Sequence, residues 1–586
     1  MIKRDEFFPK DNDAGVIAFV NPGDNIVPDS ISIQVAVSNF GLDTLFSFKT
    51  HLVINNDTFT TITVNDTLAP GDTVHISMGY YTFKRDSINN LLAWTSLPNN
   101  TTDQNFENDS FKITNQKTAM RGVYTIGGTS PDFNTFKNAI DAMNSYGIAD
   151  SVRFRVRAGV YDEQLIIKSI NGASQKNSIV FESESLDSSN VLLRYNSIYS
   201  DTNYVVFFNG CSGVTFRHIT IQALNSTYGR VCIFENGASN NCLNNNYLLG
   251  TNINSSSSRY SVIGSFEGYT SDNNNQIISN RIENGSYGIY WYGYGNPDYV
   301  EDGSKINHNT FLNQYNSGIY ASYQNNCVIH SNHFMSSRTY SSYSGIQVYR
   351  FEGKSRISSN LIDRSNNGRY GIYIDNTSSN GDTFLIVNNS ISLGGTSNPI
   401  GIYSYSSNRV HFVHNSVYMG SSTNSSSIGV YIYYGSNNEF LNNIIEVDGD
   451  GIALDVAAPS ALNKIDYNNY RSKGINLARW NAVYYSTLSS LKSASGKDSN
   501  SLSEDPLFTS SNDLHIKQIG LNGKATIYPA IVTDIDGETR DSLSRDIGSD
   551  EFNPPPLDAG VLSIITPSTP FPSDTQFVKV AIKNFD

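Results

Sequence analysis

Residues 386–403 read IVNNSISLGGTSNPIGIY, and residues 412–431 repeat the pattern as FVHNSVYMGSSTNSSSIGVY. Each copy starts with an apolar residue, places Asn three positions later, and ends in Gly, a β-branched residue and Tyr. The Asn recurs at positions 280, 309, 332, 360, 389, 415 and 443, in steps of 29, 23, 28, 29, 26 and 28 residues. Short β-branched runs at such a period, separated by Gly, Ser and Asn, predict a β-solenoid.

The repeat also predicts which side chains are buried. One repeat is one coil of short strands, and stacked coils place equivalent residues above one another at about 4.8 Å. An Asn buried at the corner of each coil can bond to the backbone and to the next Asn, which satisfies its polar groups. We expect about ten coils, in which the variation in repeat length falls in one loop per coil.

Strand alternation places the residues after each inward-facing Ile on the outer face of the coil. Two outer rows follow, one ending at Ala453 and the other at Asp455, and nine of their fourteen positions are Tyr. We expect a ligand-binding face at Tyr290, Tyr292, Tyr320, Tyr349, Tyr373, Asp375, Tyr403, Tyr405, Tyr431 and Tyr433. Tyr suits sugar or protein partners, but it also favours strands, so a purely structural cover is the alternative.

The flanking segments carry a resemblance to a known fold. Residues 124–181 hold an apolar helix face followed by Gly159-Val160-Tyr161-Asp162-Glu163, and residues 486–552 hold Asp534-Ile535-Asp536-Gly537 and Asp546-Ile547-Gly548. With these as entry cap and closing segment, residues 119–552 resemble the right-handed parallel β-helix of the pectate-lyase-like superfamily. That resemblance implies an all-β fold and leaves the activity open, because the fold hosts many functions.

A smaller domain is predicted before the coils. Residues 12–118 contain alternating runs such as SISIQVAV at 30–37 and no helical pattern, which favours a β-sandwich. The segment resembles the Ig-like, cell-adhesion-related (CARDB-type) domains of large bacterial surface proteins. Residues 558–586 align with residues 13–41 without a gap, so we expect residues 553–586 to start a truncated second sandwich, as in an excerpt from a larger array. Residues 1–11 look like a leader or tag.

Composition limits the partners. The net charge of −14 argues against nucleic acid or an anionic membrane surface. No apolar run is long enough for a membrane span, so we expect no membrane insertion. Four cysteines, Cys211, Cys232, Cys242 and Cys327, follow no metal-binding spacing and fit either small buried residues or a disulfide.

Two groups of residues are weak candidates for catalysis. Glu235 and Glu267 each follow a Phe in successive coils and, if in register, would lie close enough for acid–base chemistry. Arg350 and Lys354 follow an outer strand and could remove a proton in a lyase. In both groups, solvated loop charges are the structural alternative.

Short Asp-x-Asp runs are the best predicted metal ligands, because closely spaced carboxylates supply the oxygens that Ca²⁺ prefers. They occur at Asp448 and Asp450 and again at Asp534 and Asp536. No other cofactor is expected. A structural turn explains the second pair equally well.

The sequence therefore favours an extracellular module of a bacterial cell-surface protein that binds polysaccharide or a cell-surface glycan and adjoins neighbouring repeat domains. A secreted polysaccharide lyase or glycoside hydrolase is the first alternative, and a ligand-free spacer is the second. A compact acid–base cluster beside the Tyr face would favour the enzyme.

Overall fold

The computed structural model describes residues 10–584 except 24, 25, 86, 267, 296–299, 339, 365, 366, 378–380, 553–558 and 568–572. The chain divides into two compact units. Unit 1 comprises Met1–Ile253, Ser257–Gly285 and Gly293–Asp302. Unit 2 comprises Asn254–Ser256, Ser286–Tyr292 and Gly303–Asp586. Each unit is described by itself.

Unit 1 begins with the predicted β-sandwich. Its strands are β1 (Ala14–Asn21), β2 (Ser30–Asn39), β3 (Phe48–Ile54), β4 (Asp57–Val64), β5 (Thr73–Thr82), β6 (Ile88–Ser96) and β7 (Ser110–Lys117). They form two antiparallel sheets, ordered β1-β2-β5 and β4-β3-β6-β7. Alternate residues such as Ile33, Val35 and Val37 of β2 and Leu52 and Ile54 of β3 meet in one buried core, as period-two patterning predicts.

The strands that follow are short, and most of them belong to three sheets of parallel strands. In chain order they are β8 (Met120–Ile126), β9 (Ile148–Val156), β10 (Gly159–Asp162), β11 (Leu165–Ile167), β12 (Ile179–Ser183), β13 (Val191–Tyr195), β14 (Val206–Asn209), β15 (Val214–Arg217), β16 (Thr220–Ala223), β17 (Cys232–Glu235), β18 (Cys242–Asn244), β19 (Tyr247–Leu249), β20 (Ile263–Ser265), β21 (Gln276–Ile278), β22 (Arg281–Glu283), β23 (Tyr287–Tyr292), β24 (Glu301–Asp302), β25 (Lys305–Asn307), β26 (Thr310–Leu312), β27 (Ser317–Asn325), β28 (Val328–His330), β29 (His333–Met335), β30 (Ser344–Glu352), β31 (Arg356–Ser358), β32 (Leu361–Arg364), β33 (Tyr370–Asp375), β34 (Phe384–Val387), β35 (Ser390–Leu393), β36 (Ile400–Tyr405), β37 (Ser407–Asn408), β38 (Val410–Val413), β39 (Ser416–Met419), β40 (Ile428–Ile432), β41 (Gly435–Ser436), β42 (Asn438–Leu441), β43 (Ile444–Val447), β44 (Ile452–Val456), β45 (Leu462–Asp466), β46 (Asn469–Ser472), β47 (Ala478–Trp480) and β48 (Val483–Tyr485). Together they build a parallel β-solenoid of about 12 turns.

The entry cap in unit 1 has the predicted helix. Helix α1 (Phe136–Tyr146) begins after Thr135, whose side chain accepts a hydrogen bond from the Asn138 amide. Its buried side chains are Phe136, Ala139, Ile140 and Met143. Side-chain contacts also join the sandwich to this cap: Arg121 pairs with Asp29 at 2.7 Å, and the Arg85 guanidinium lies 3.9 Å from the Tyr124 ring centroid.

The predicted Asn ladder is present in unit 2, and it runs through Asn309, Asn332, Asn360, Asn389, Asn415, Asn443 and Asn468. At one step, the Asn360 amide nitrogens donate to Asn389 Oδ1 at 3.1 Å from the backbone and 2.9 Å from the side chain. Asn389 Nδ2 in turn donates to the Ile357 carbonyl at 3.0 Å. Every polar group at the corner is satisfied, as buried amides require.

Unit 1 has more turns than the sequence pattern indicated, since the first coils lack the Asn. At the ladder position of one coil stands Ile219, whose backbone amide donates to Asn246 Oδ1 at 3.1 Å. The ladder therefore starts only at Asn246, and a count based on Asn spacing gives about ten coils rather than 12. All four cysteines are free thiols, so the disulfide alternative is not realised.

The repeated Gly before each inward Ile is required by close packing. A Cβ added at Gly371 would lie 2.5 Å from the Gly401 carbonyl oxygen and 2.5 Å from Ile391 Cγ2. Real side chains do not approach so closely, so only Gly fits between two coils and the neighbouring sheet.

The closing segment of unit 2 contains helix α2 (Leu488–Ser495). The helix begins after Thr487, whose side chain caps it, and ends at Gly496, whose backbone lies in the left-handed region. A fully buried guanidinium, that of Arg540, fastens the rest of the segment. It donates to the carbonyls of Gly548 and Ser549 at 2.9 and 3.0 Å and to Asn388 Oδ1 at 3.1 Å. Arg540 thereby ties the Asp-Ile-Gly motif to a solenoid corner.

A C-terminal hairpin, β49 (Ala559–Thr566) and β50 (Lys579–Asn584), repeats the first hairpin of the sandwich. Ala559 pairs with Asn584 as Ala14 pairs with Asn39, and both hairpins shift register at the two equivalent places. The aligned sequences thus encode one pairing. Among the described residues, no helix has the length and hydropathy to cross a membrane.

Candidate functional site: the tyrosine face

Eleven tyrosines on one sheet of unit 2 form the surface that we call the tyrosine face. Its members are Tyr287, Tyr290, Tyr292, Tyr320, Tyr349, Tyr370, Tyr373, Tyr403, Tyr405, Tyr431 and Tyr433. All are partly exposed, whereas the alternating residues Ile289, Trp291 and Ile372 are buried. The predicted inward–outward alternation is therefore present.

The rings of neighbouring coils stack on one another at three steps. The ring centroids of Tyr290 and Tyr320 are 4.9 Å apart with 7° between the planes, and those of Tyr403 and Tyr431 are 4.9 Å apart with 9°. Tyr405 and Tyr433 stack at 5.1 Å. The planes of Tyr349 and Tyr373 are instead 58° apart, and those of Tyr373 and Tyr403 are 66° apart. Where the rings stack, their edges and hydroxyl groups, rather than their planes, are what the face offers to a ligand.

Five hydroxyl groups of the face stay protonated to a higher pH than the hydroxyl of a free tyrosine. Burial, reinforced by the neighbouring Tyr hydroxyls, raises the pKa of Tyr287 to about 12. Burial and the carboxylate of Asp455 raise the pKa of Tyr431 to about 12. Burial also raises the pKa values of Tyr320, Tyr373 and Tyr403. A protonated phenol donates one hydrogen bond and accepts others, as sugar hydroxyls require.

Only one predicted acidic member, Asp375, lies among these rings. Tyr373 donates to Asp375 Oδ2 at 3.1 Å, while Oδ1 is buried and accepts no hydrogen bond from any described residue. Burial raises the pKa of Asp375, against the opposing charge of Arg350. Asp375 can therefore accept a hydrogen bond from a ligand.

The second predicted acid, Asp455, lies in a different row from the one expected. It pairs with Tyr431, and Leu454 pairs with Val430, whereas Ala453 is buried. The triplet that begins at Gly451 is thus displaced by two residues from the ladder of glycines. Arg479 forms an ion pair with the buried Asp455 carboxylate, which closes this end of the face with little net charge.

Sequence reasoning missed Tyr287 and Tyr370. Strict alternation from Tyr290 would turn Tyr287 inward, but Gly288 and Ile289 are both buried and Tyr287 faces outward. The Tyr287 ring lies 5.0 Å from that of Tyr290, and the Tyr370 ring lies 5.1 Å from that of Tyr373. The sequence signal that could have identified both residues is a Tyr directly before the Gly of the triplet.

The structure describes three of the four predicted catalytic residues. Glu267 lies outside the described residues. Glu235 is partly buried in unit 1, where burial raises its pKa and Arg230 opposes the shift. Its acidic neighbour there is Asp272, a buried carboxyl that accepts hydrogen bonds from the Gly237 and Ala238 amides at 3.0 and 2.8 Å. Through these hydrogen bonds, Asp272 stabilises the turn at Gly237 and Ala238.

In unit 2, Arg350 and Lys354 are exposed. The Arg350 guanidinium lies 5.3 Å from the Tyr323 ring centroid, beside the tyrosine face. The Lys354 backbone amide donates to Asn326 Oδ1 at 2.9 Å, which is a turn contact. Neither side chain meets a buried carboxylate in the hydrogen bonds and ion pairs of the described residues.

The predicted calcium ligands have different surroundings. Asp448 forms an ion pair with Lys473 and accepts from the Tyr418 hydroxyl at 3.3 Å, while Asp450 is exposed. Asp534 is buried, and its carboxylate accepts from three backbone amides, those of residues 536, 538 and 551. Asp536 is exposed and contacts His515. Calcium at these carboxylates stays a prediction.

Unit 1 has a further acidic group in the sandwich that could hold a hard cation. One carboxylate oxygen each of Asp13, Asp103 and Asp109 lies within 4.8 Å of the others. Burial and the charges of the other two acids raise the pKa of Asp109 to about 7.

Family comparisons agree with this architecture of an Ig-like sandwich followed by a parallel β-helix. Residues 13–112 match the CARDB family, and residues 262–421 match the family described as right handed beta helix region. The chain is thus a β-helix protein with a CARDB-type domain. No curated protein is a significant match.

Solved structures are similar to this chain at low identity. A CARDB domain from Pyrococcus furiosus, solved in complex with di-metal ions, is 21% identical, with 18% of this chain and 96% of that chain covered and a TM-score of 0.16. The catalytic domain of Agl-KA is 13% identical, with 77% and 87% covered and a TM-score of 0.34. A GH87 alpha-1,3-glucanase catalytic domain, solved with nigerose, is 9% identical, with 80% and 93% covered and a TM-score of 0.32.

Proposed function

We propose that the tyrosine face binds polysaccharide, and that the chain is an extracellular module of a bacterial cell-surface protein that uses this face for adhesion. The observation that carries the proposal is the row of partly exposed tyrosines on successive coils, which Gln347 interrupts at one coil. The coil spacing, about 4.8 Å, is comparable with the length of one pyranose unit. An extended glycan can therefore meet a tyrosine at most coils of the face.

The charge of the face favours a neutral glycan. Its tyrosines are neutral, and Asp455 is paired with Arg479. Asp375 adds an acceptor oxygen, and Arg350 lies at the edge. A face without a cluster of guanidinium groups gives little attraction to the carboxylates or sulfates of an acidic polysaccharide.

The proposal favours binding over catalysis for a geometric reason. Glycoside hydrolysis uses two carboxyl groups about 5–9.5 Å apart. Among the described residues of the face, Asp375 and Asp455 are the two acids, and they are separated by the coils of β36 and β40. Asp455 is also held by Arg479.

The test is a panel of neutral and acidic polysaccharides, in which binding and product release are measured together. We expect binding to a neutral polysaccharide, no new reducing ends or unsaturated sugars, and at least tenfold weaker binding in Tyr403→Ala/Tyr405→Ala. Tyr199→Ala, at an exposed tyrosine of unit 1, is the matched control. Product release would establish the enzyme alternative, and absence of binding across the panel would refute the proposal.

A further inference from the structure

A cavity of about 360 Å³ in unit 2 lies between a solenoid corner and the closing segment. The solenoid contributes Ser331, Asn332, His333, Ser359, Leu361 and Ser390 to its wall. The opposite wall comes from three stretches of the closing segment, at residues 512–515, 535–536 and 549–550. The cavity is separate from the tyrosine face, because its solenoid residues belong to the corner that carries the Asn ladder.

Each stretch of the closing segment brings one metal-ligating side chain to this cavity. They are His515, Asp536 and Asp550, and one ligating atom from each lies within 4.8 Å of the other two. His515 Nε2 is 2.7 Å from Asp536 Oδ2. Three side chains far apart in sequence therefore converge on one point of the wall.

The Asp550 carboxylate is short of partners. Asp550 is 8% exposed, and its Oδ2 accepts one long hydrogen bond of 3.3 Å from the Ile516 amide. The described residues form no other hydrogen bond or ion pair with the Asp550 carboxylate, while Arg540 donates to the Asp550 backbone carbonyl at 3.4 Å. A nearly buried carboxylate with an oxygen free to face the cavity requires a donor or a cation.

The charge of the wall points to a cation. Three carboxylates, those of Asp513, Asp536 and Asp550, and two imidazoles, those of His333 and His515, line the cavity, and the described lining residues include neither Lys nor Arg. His515 Nδ1 is hydrogen-bonded to Asp513, which fixes the ring and turns Nε2 towards Asp536 and the cavity. A carboxylate behind one imidazole nitrogen is the usual arrangement for a histidine that binds metal through the other.

We propose that His515, Asp536 and Asp550 bind one divalent transition-metal ion, such as Zn²⁺ or Mn²⁺, and that Asp513 is the positioning residue for His515. A set of one imidazole nitrogen and two carboxylates suits these ions better than Ca²⁺, which prefers oxygen ligands alone. The metal replaces the proton that His515 Nε2 shares with Asp536, and the cavity leaves room for water ligands. Bound metal would join the three stretches of the closing segment.

Titration calorimetry of the metal-free full chain with Zn²⁺, Mn²⁺ and Ca²⁺ tests the site. We expect one Zn²⁺ or Mn²⁺ per chain, at least tenfold weaker binding in His515→Gln and Asp550→Asn, and weaker binding of Ca²⁺ than of either. His75→Gln and Asp201→Asn, at exposed positions of unit 1, are the matched controls. Binding that is absent, that prefers Ca²⁺, or that persists unchanged in both variants would overturn the proposal.

Co²⁺ serves as a spectroscopic probe that a merely structural role would not affect. Its visible absorption should appear with the wild-type chain and disappear in Asp550→Asn, a variant of nearly unchanged shape. Asp513→Asn should keep the absorption while affinity falls by about tenfold, the usual loss when a positioning partner is removed. If His515→Gln fails to fold, the Asp550→Asn spectrum decides: retained absorption would refute the site.

Discussion

Two ladders run along the same coils of unit 2, and they differ in how their polar groups are satisfied. The Asn ladder is buried, and each side chain bonds to the backbone and to the next Asn. The tyrosine face is partly exposed, and several of its rings stack on one another. A satisfied ladder holds the fold together, whereas a ladder with unused hydrogen-bonding capacity is available to a ligand.

The largest expected effect comes from breaking the buried ladder. Asn389→Ala would remove the acceptor of two Asn360 hydrogen bonds and the donor to the Ile357 carbonyl inside the solenoid, while Asn360 Nδ2 keeps its bond to the Ile329 carbonyl. At about 1–3 kcal/mol for each unsatisfied buried group, we expect a loss of roughly 3–5 kcal/mol in the free energy of unfolding. Chemical denaturation measures it.

Asn463→Ala, at an exposed position, is the control and should change stability by less than about 0.5 kcal/mol. If the two variants were equally stable, the ladder would contribute nothing beyond ordinary surface asparagines.

The next largest effect comes from adding a methyl group where two coils pack closely beneath the tyrosines. Gly371→Ala places a methyl group against the Gly401 carbonyl and Ile391, so two coils must separate locally. We expect a loss of about 1–3 kcal/mol, typical of overpacking. Gly23→Ala, where nothing lies within 4 Å of the added Cβ, should be neutral in the same denaturation assay. An equal change in stability in the two variants would show that the coils accommodate a methyl group at Gly371 without strain.

The two ladders should also differ in their response to alkaline pH. The Asn ladder does not titrate, but the folded-state pKa values of Tyr287 and Tyr431 lie at about 12, above the value of about 10 for a free tyrosine. Their stabilising contribution is complete below pH about 10 and is lost as the pH rises through about 12.

Unfolding measured at several pH values should show this decline, and Tyr287→Phe should reduce it. Phenolate absorbance should show that Tyr287 and Tyr431 ionise only as the pH approaches about 12. Ionisation of all tyrosines together near pH 10 would contradict the packing of the face.

Much of this comparison could be predicted from the sequence, because both ladders are periodic. The Asn389 and Gly371 positions recur over most coils of unit 2, and a period is visible without coordinates. Asp455 was assigned to the wrong row since Gly451 resembles the ladder glycines while Ala453 occupies their position. Tyr287 was missed since the backbone at Gly288 interrupts strict alternation.

The cavity beside the closing segment was beyond sequence analysis for a different reason. Asp536 was predicted as a metal ligand, but its neighbours His515 and Asp550 lie in other turns with no regular spacing. Irregular loops bring residues together through tertiary packing. Arg540 does so here by donating to the carbonyls of Gly548 and Asp550, which lie eight and ten residues further along the chain. No local pattern records such contacts.

The central claim, that the hydroxyls of the tyrosine face bind glycan, is tested most directly by removing hydroxyls and keeping rings. Calorimetric titration of Tyr403→Phe/Tyr431→Phe with the polysaccharide that binds best should show affinity reduced by about tenfold, as expected for two lost hydrogen bonds. Its unfolding should match the wild type, and Tyr418→Phe, on another sheet, should bind normally. Unchanged affinity in the double variant would contradict the claim.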